Sequence, residues 1–170
     1  MLVTVMGVSG SGKTTVGAAL AQRLHVPFED ADDLHPPTNV AKMSAGVPLD
    51  DADRLPWLRK VGAWQKEHAG AGGVMSCSAL RRSYRDILRE AAPEQVFVYL
   101  AGDRDLIARR VAGRIGHFMP AALVDSQFAA LEPLGPDERG VTVDLDQPID
   151  ALIDACATAL GVSEAASGPS

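Results

Sequence analysis

The sequence predicts an open, mostly parallel α/β sheet covered by helices on both faces, and three observations carry that expectation. Short apolar runs alternate with stretches of helical periodicity along the chain. The 170 residues, 46% of them hydrophobic, suit one domain with a substantial core. No repeat or low-complexity block interrupts the alternation.

Leu2–Met6 reads as a short buried strand, after which Val16, Ala19, Leu20 and Leu24 recur at helical spacing. Residues 27–30 form a short second strand, followed by a turn at Pro36-Pro37 and a helical stretch over 39–45. Trp57, Val61 and Trp64 share one face of the next helix, with Asp50, Asp51 and Asp53 near its start, where the helix dipole favours carboxylates. Residues 73–76 are a third strand, entered from the flexible run Gly70-Ala71-Gly72-Gly73. Leu80, Tyr84, Ile87 and Leu88 mark a helix, and 95–100 is the clearest central strand. Helices follow over 103–112 and 121–131, then a strand over 140–145. Ile149, Leu152, Ile153, Cys156 and Leu160 line one side of a last helix. One domain is expected over 1–161, with a small, polar, frayed tail over 162–170. The Trp57/Trp64 face and the Phe97/Tyr99 alternation are expected to serve the core.

A net charge of −6 and a pI of about 5.1 argue against a broad nucleic-acid surface, which needs a basic face. Cys77 and Cys156 share no metal-ligand spacing and read as free thiols in a reducing compartment. Met1–Met6 lacks the basic, long apolar pattern of a signal peptide, and no apolar run reaches the ~20 residues that span a bilayer. A soluble, cytoplasmic protein with no membrane partner is the expectation.

Gly7-Val8-Ser9-Gly10-Ser11-Gly12-Lys13-Thr14 matches G-x-x-x-x-G-K-[ST] in full, directly after a buried strand and directly before an amphipathic helix. Glycines let such a loop curl until successive N–H groups face phosphate oxygens, and the following helix aims its positive dipole end there. Residues Gly7 to Thr15 are therefore the expected ATP-phosphate site. Lys13 would reach the β- and γ-phosphates, and the Thr14 hydroxyl would ligate Mg²⁺. A guanine-reading Asn-Lys-x-Asp tetrapeptide is absent, and Asp137-Glu138-Arg139-Gly140 comes too late for a GTPase switch. A small-molecule kinase fits better than a switch or a motor.

Asp30-Ala31-Asp32-Asp33-Leu34-His35-Pro36 follows the second strand. Carboxylates beside a P-loop suit two tasks, holding the Mg²⁺ shell and engaging the attacking hydroxyl. Asp30 is assigned to magnesium and Asp32 to the hydroxyl. Two residues apart in an extended segment, they would point the same way.

From the P-loop onward the chain resembles the bacterial-type gluconate kinases. The resemblance runs in order through Asp30-x-Asp32-x-x-His35-Pro36, Asn39-Val40-Ala41-Lys42-Met43, Gly46-x-Pro48-Leu49 and Asp51-x-Asp53-Arg54-x-Pro56-Trp57-Leu58. It continues through Cys77-Ser78-Ala79-Leu80-Arg81, Tyr84-Arg85-Asp86-x-Leu88-Arg89, Gly116-His117-Phe118, Gln127-Phe128 and Asp146-Gln147-Pro148, covering roughly residues 3–160. Ala31 departs from the pattern, standing where many relatives have Gly. The resemblance implies ATP-dependent phosphorylation of the terminal hydroxyl of D-gluconate to 6-phosphogluconate. It also implies a nucleoside monophosphate kinase-like P-loop NTPase fold with a five-stranded parallel sheet, a mobile lid at about 113–122, and a homodimer.

Gluconate offers one carboxylate and a row of hydroxyls, so its site needs cations and fork-like donors. His35, Lys42, Arg54, Arg81 and Arg85 are the candidates, and the resemblance adds Ser78, His117 and Gln127. Arg110 and Arg114, four apart, would be brought over the triphosphate by the lid. Asp146-Gln147-Pro148 resembles the family's adenine-side loop and brings in Gln147 and Pro148. Shikimate kinases share the P-loop and the Asp-x-Asp turn but carry a Gly-rich loop after strand three, where this chain has Cys77-Ser78-Ala79-Leu80. A kinase for shikimate or another small acid, and a nucleotide-binding regulator without turnover, are the alternatives.

Overall fold

The computed structural model describes residues 1–112 and 121–162. Five strands, β1 (Leu2–Met6), β2 (Phe28–Asp30), β3 (Gly73–Ser76), β4 (Val96–Ala101) and β5 (Gly140–Asp144), form one sheet in the order β2-β3-β1-β4-β5. All four pairings are parallel, with Val3 opposite both Val74 and Val96 in the centre. The helices are α1 (Lys13–Leu24), α2 (Pro37–Ser44), α3 (Asp51–His68), α4 (Arg82–Ala91), α5 (Arg104–Ala112), α6 (Ala121–Ala130) and α7 (Ile149–Ala159). The expected α/β sheet is the one observed. Among the described residues no helix is long and apolar enough to cross a membrane.

Strand period two divides the core between the faces of the sheet. Val3, Val5, Val74, Val98 and Leu100 pack with Val16, Leu20, Ile107, Leu152 and Cys156 on one side. Met6, Met75, Phe97 and Tyr99 pack with Trp57, Leu58, Val61, Tyr84 and Leu88 on the other. Phe97 and Tyr99 are core residues, as their alternation predicts. Trp64 is only half-buried, stacked on His68 with ring centroids 3.9 Å apart.

Most element ends shift by a residue or two from the expected ones, two of them for a clear local reason. Pro37 begins α2 instead of merely turning the chain, since its fixed φ and missing N–H suit a first helical position. Asp103 caps α5 from outside, accepting from the Leu106 N–H at 2.8 Å. Asp50 and Asp53 form a reciprocal capping box at the start of α3. Residues 113–120 of the expected lid and 163–170 of the expected tail lie outside the described residues. Val162 bonds back to Ala157 and packs on the core.

Two polar groups of contacts sit inside the domain. Thr4, Gln65 and Gln95 are fully buried and satisfy one another, with the Gln95 amide also donating to the Leu88 carbonyl at 2.6 Å. Arg85 and Glu138 form a dry ion pair at 2.8 Å, with no exposed surface on either side chain. Glu138 further accepts from Arg89 at 2.8 Å and from the Gly135 N–H at 2.7 Å. Arg85 also donates to the Ala79 carbonyl at 2.8 Å, so this pair ties α4 to the segment after β3 and to the approach to β5. Burial disfavours the Glu138 carboxylate, but Arg85, the Gly135 amide and Arg89 together outweigh it and bring the group down to about 2.

A carboxylate whose folded pKa is depressed adds stability that is complete above its unfolded value and is lost as pH falls toward the folded one. Acid unfolding should therefore steepen below the ordinary glutamate range, toward about pH 2. Glu138→Gln leaves Arg85 charged and unpaired, which should cost about 3–5 kcal/mol at neutral pH. Chemical denaturation at pH 7 and at steps from about pH 5 down toward about pH 2 checks both statements. A Glu138→Gln protein as stable as wild type at pH 7 would contradict them.

Candidate active site

The loop after β1 takes the conformation that its glycines allow. Gly10 (φ +85°) and Gly12 (φ +92°) occupy the left-handed region, and a Cβ on Gly10 would meet Val111 at 2.6 Å. Gly12 is also the residue from which α1 starts, so the first free N–H groups of that helix open into the loop. The Lys13 ammonium arches back to the Val8 carbonyl at 3.3 Å. Ser9 donates its N–H to Gln127 Oε1 at 2.7 Å, which ties α6 to the loop. The Ser11 hydroxyl within the loop and that of Ser76 at the end of β3 are buried, with no hydrogen-bond partner among the described residues.

Across from the loop, Asp30 ends β2 and engages both carboxylate oxygens. Oδ2 accepts from the Thr14 hydroxyl at 3.0 Å, and Oδ1 accepts from the Asp32 N–H at 2.9 Å. The second bond caps a 3₁₀ turn over Ala31–Leu34, so Asp32 does not continue an extended segment. The two carboxylates meet because the chain folds back, not because they alternate along a strand. Thr14 and Asp30 set hydroxyl and carboxylate oxygens side by side, the hard donors that Mg²⁺ takes. Among the described residues no group of three or more His, Cys, Asp and Glu side chains gathers for a metal. That suits a cation held by one or two protein oxygens together with phosphates and water.

Asp32 has accessible surface, yet enough protein surrounds it for desolvation to be the largest influence on its carboxyl. Desolvation and the neighbouring Asp30 raise its pKa above the ordinary 3.8, against the pull of Lys13 and His35. His35 stacks on Trp57 with ring centroids 4.2 Å apart, and its Nδ1 lies 3.2 Å from the Asn39 amide nitrogen. Burial, opposed by Asp32 and helped by Arg54, lowers its pKa. His35 is thus a neutral ring at pH 7, which corrects its place among the expected cations. An amide nitrogen only donates, so Nδ1 accepts and Nε2 carries the proton.

The other predicted residues divide by what they touch. Lys42 is held by Asp53 at 2.8 Å, with its side chain about two-fifths exposed. Arg54 lies 3.8 Å from Asp51 and donates to the Tyr84 hydroxyl at 3.3 Å. Arg81 is exposed just before α4 and close enough to Tyr84 to influence its phenol. The Ser78 carbonyl accepts from the Gly7 N–H at 3.3 Å, joining the segment after β3 to the phosphate loop. Arg85 is fully enclosed by Glu138 and backbone carbonyls, so no donor is left for a ligand, and its expected acceptor contact is corrected.

Arg110 donates to the Leu145 carbonyl at 2.7 Å, and Gln147 to the Asp144 carbonyl at 2.7 Å. Both therefore help shape the segment before Pro148. Gln127 reaches the phosphate loop, not the acceptor groups. Arg114 and His117 lie outside the described residues. Sequence reasoning missed Tyr84 and Asn39 as parts of the site. Asn39 is buried and bridges His35 to the Asp53 carbonyl at 2.9 Å, and its signal was its place in the family-like segment Asn39-Val40-Ala41-Lys42-Met43.

The shikimate kinase family profile matches residues 9–132. A gluconokinase of Gluconobacter oxydans (strain 621H) is 48% identical over 154 residues, spanning 89% of this chain and 86% of that protein. The thermosensitive gluconokinase of Escherichia coli (strain K12) is 44% identical over 159 residues, spanning 92% and 85%. The crystal structure of a gluconokinase from Sinorhizobium meliloti 1021 has a TM-score of 0.88 to this fold at 45% identity, covering 94% of this chain and 91% of that one.

Proposed function

The chain belongs to the gluconokinase family, and on that premise we propose that it transfers the γ-phosphoryl group of ATP to the terminal hydroxyl of D-gluconate. The observation that carries this reading is the likeness to gluconokinases at 44% and 48% identity over about nine-tenths of the chain. The broader shikimate kinase profile reflects the shared P-loop scaffold, and the segment Cys77-Ser78-Ala79-Leu80 lacks the glycines expected of a shikimate site.

The chemistry follows from the residues assembled at the strand ends. Phosphoryl transfer is mainly positioning and charge neutralisation. Asp32, next to Lys13, accepts the hydrogen bond of the attacking hydroxyl and takes its proton as the new O–P bond forms and the bond from the γ-phosphorus to the β–γ bridging oxygen breaks, releasing ADP. Lys13 and the N–H groups of the loop hold the phosphate charge. Thr14 and Asp30 are the residues that would hold Mg²⁺, which when bound neutralises charge on the β- and γ-phosphates. Arg54 and Arg81, with Lys42 further out, supply the cations for the acceptor carboxylate, while neutral His35 offers Nε2–H to a hydroxyl. We further propose a homodimer in a reducing cytoplasm, in keeping with the family resemblance and two buried, free thiols. A lid over 113–122 carrying Arg114 and His117 belongs to the same proposal.

ADP release should be fast with gluconate and slow with shikimate, nucleoside monophosphates, glucose and sorbitol. The last two offer a primary hydroxyl but no carboxylate. Losing charge-assisted hydrogen bonds should lower kcat/KM roughly tenfold or more. A kcat/KM for glucose or sorbitol comparable to that for gluconate would refute carboxylate recognition.

Asp32→Asn should lower kcat by about 10²–10⁴ with little change in ATP affinity. Because the transfer needs ionised Asp32, wild-type kcat should fall as pH drops through a value above 3.8. Full activity in the variant, or a flat acid limb in wild type at saturating substrates, would refute the assignment. A variant whose main defect is lost Mg·ATP binding would exchange the roles of Asp30 and Asp32.

A further inference from the structure

Tyr84 is the third residue of α4, and its side chain is almost wholly buried against α3. Its ring belongs to the apolar cluster under that helix, yet its hydroxyl reaches the first turn of α3. There it donates to Asp51 Oδ1 at 2.6 Å. An ionised carboxylate only accepts, so the phenol proton is committed to Asp51 and the rotor of the hydroxyl is fixed. The oxygen lone pairs then face away from Asp51, toward Arg54, whose Nη1 lies 3.3 Å from that oxygen. The guanidinium carbon of Arg54 also sits 5.6 Å from the ring centroid. One side chain thus holds the same arginine twice, by its oxygen and by its π face.

A free arginine on a first helical turn samples many rotamers, and a bidentate contact needs one of them. Of its five N–H donors, Tyr84 takes one, and the Arg54 side chain remains about one-third exposed. Asp51 competes little for the rest, since it lies 3.8 Å away and its side chain is four-fifths exposed. Arg81 lies close enough to the phenol to act on it electrostatically. Two guanidinium groups and one carboxylate around one hydroxyl leave a net positive charge, with donors still available.

We propose that Tyr84 is a positioning residue for acceptor recognition, whose hydroxyl, fixed by Asp51, and ring face hold Arg54 with its remaining donors turned toward the carboxylate of the acceptor. The role rests on the gluconate reading above. It makes Tyr84 a determinant of the preference for sugar acids over neutral sugars, although it touches the acceptor only through Arg54.

Tyr84→Phe tests this, because it keeps the ring and removes only the oxygen. Gluconate turnover by the wild type is measured first, and its absence overturns both the functional reading and this role. With wild type active, Tyr84→Phe should raise the gluconate KM roughly five- to tenfold. The KM for ATP should stay within about twofold, since that site shares none of these contacts. The preference for gluconate over sorbitol should shrink in the same proportion. In an Arg54→Ala background, Tyr84→Phe should have no further effect on kcat/KM for gluconate, because the residue acts through Arg54. An unchanged gluconate KM overturns the proposal. So does an equal effect in both backgrounds, or a lowered Tm with parallel rises in both KM values, which marks a purely structural role.

Discussion

Five strands that run the same way place five carboxyl ends along one edge of the sheet, and the site depends on that constraint. From β1 the chain leaves toward β2 and β3 on one side, and later toward β4 and β5 on the other. The crevice at such a divergence is where ligands bind in open α/β sheets. The phosphate loop leaves the end of β1, Asp30 ends β2, Ser78 follows β3, and the Leu145–Gln147 segment follows β5. No single element forms the site. It is a product of register, since Val5 and Asp30 both pair with Ser76 and so bring the ends of β1, β2 and β3 level.

Polar groups inside the domain hold those ends in relation to one another. The Arg85–Glu138 pair has exchanged water for protein on every side, and it remains favourable only because carbonyl and amide partners complete it. Through the Ala79 carbonyl it fixes a backbone that turns left-handed at a residue other than glycine (φ +43°). One residue earlier, the Ser78 carbonyl meets the phosphate loop. Stability and site geometry are therefore coupled here. A substitution in this pair would disturb the phosphate side and the acceptor side together, whereas Tyr84 affects the acceptor side alone.

Most of the fold was legible because hydrophobic period and glycine spacing are local. The phosphate loop, β1, β4 and the core roles of Phe97 and Tyr99 follow from a few neighbouring residues each. The site was legible in its residue types and less so in its roles. Arg85 and Arg54 look alike in a sequence, since both stand on helices within motif-like segments. What separates them is Glu138, more than fifty residues from Arg85 in the chain, which encloses one guanidinium and leaves the other open. His35 was expected to be cationic because nothing in the sequence places Trp57 against its ring. The expected alternation of Asp30 and Asp32 failed because the Asp30 side chain nucleates a 3₁₀ turn, where a local hydrogen bond overrides the extended preference.

On the proposed reading, the groups at these strand ends direct phosphate onto one hydroxyl of a sugar acid. ³¹P and ¹³C NMR of the product formed from ATP and uniformly ¹³C-labelled gluconate tests it most directly. The expected result is a single phosphomonoester, with phosphorus coupled to C6 and formed in step with ADP. Inorganic phosphate as the main product, or a phosphorylated secondary hydroxyl, would contradict it.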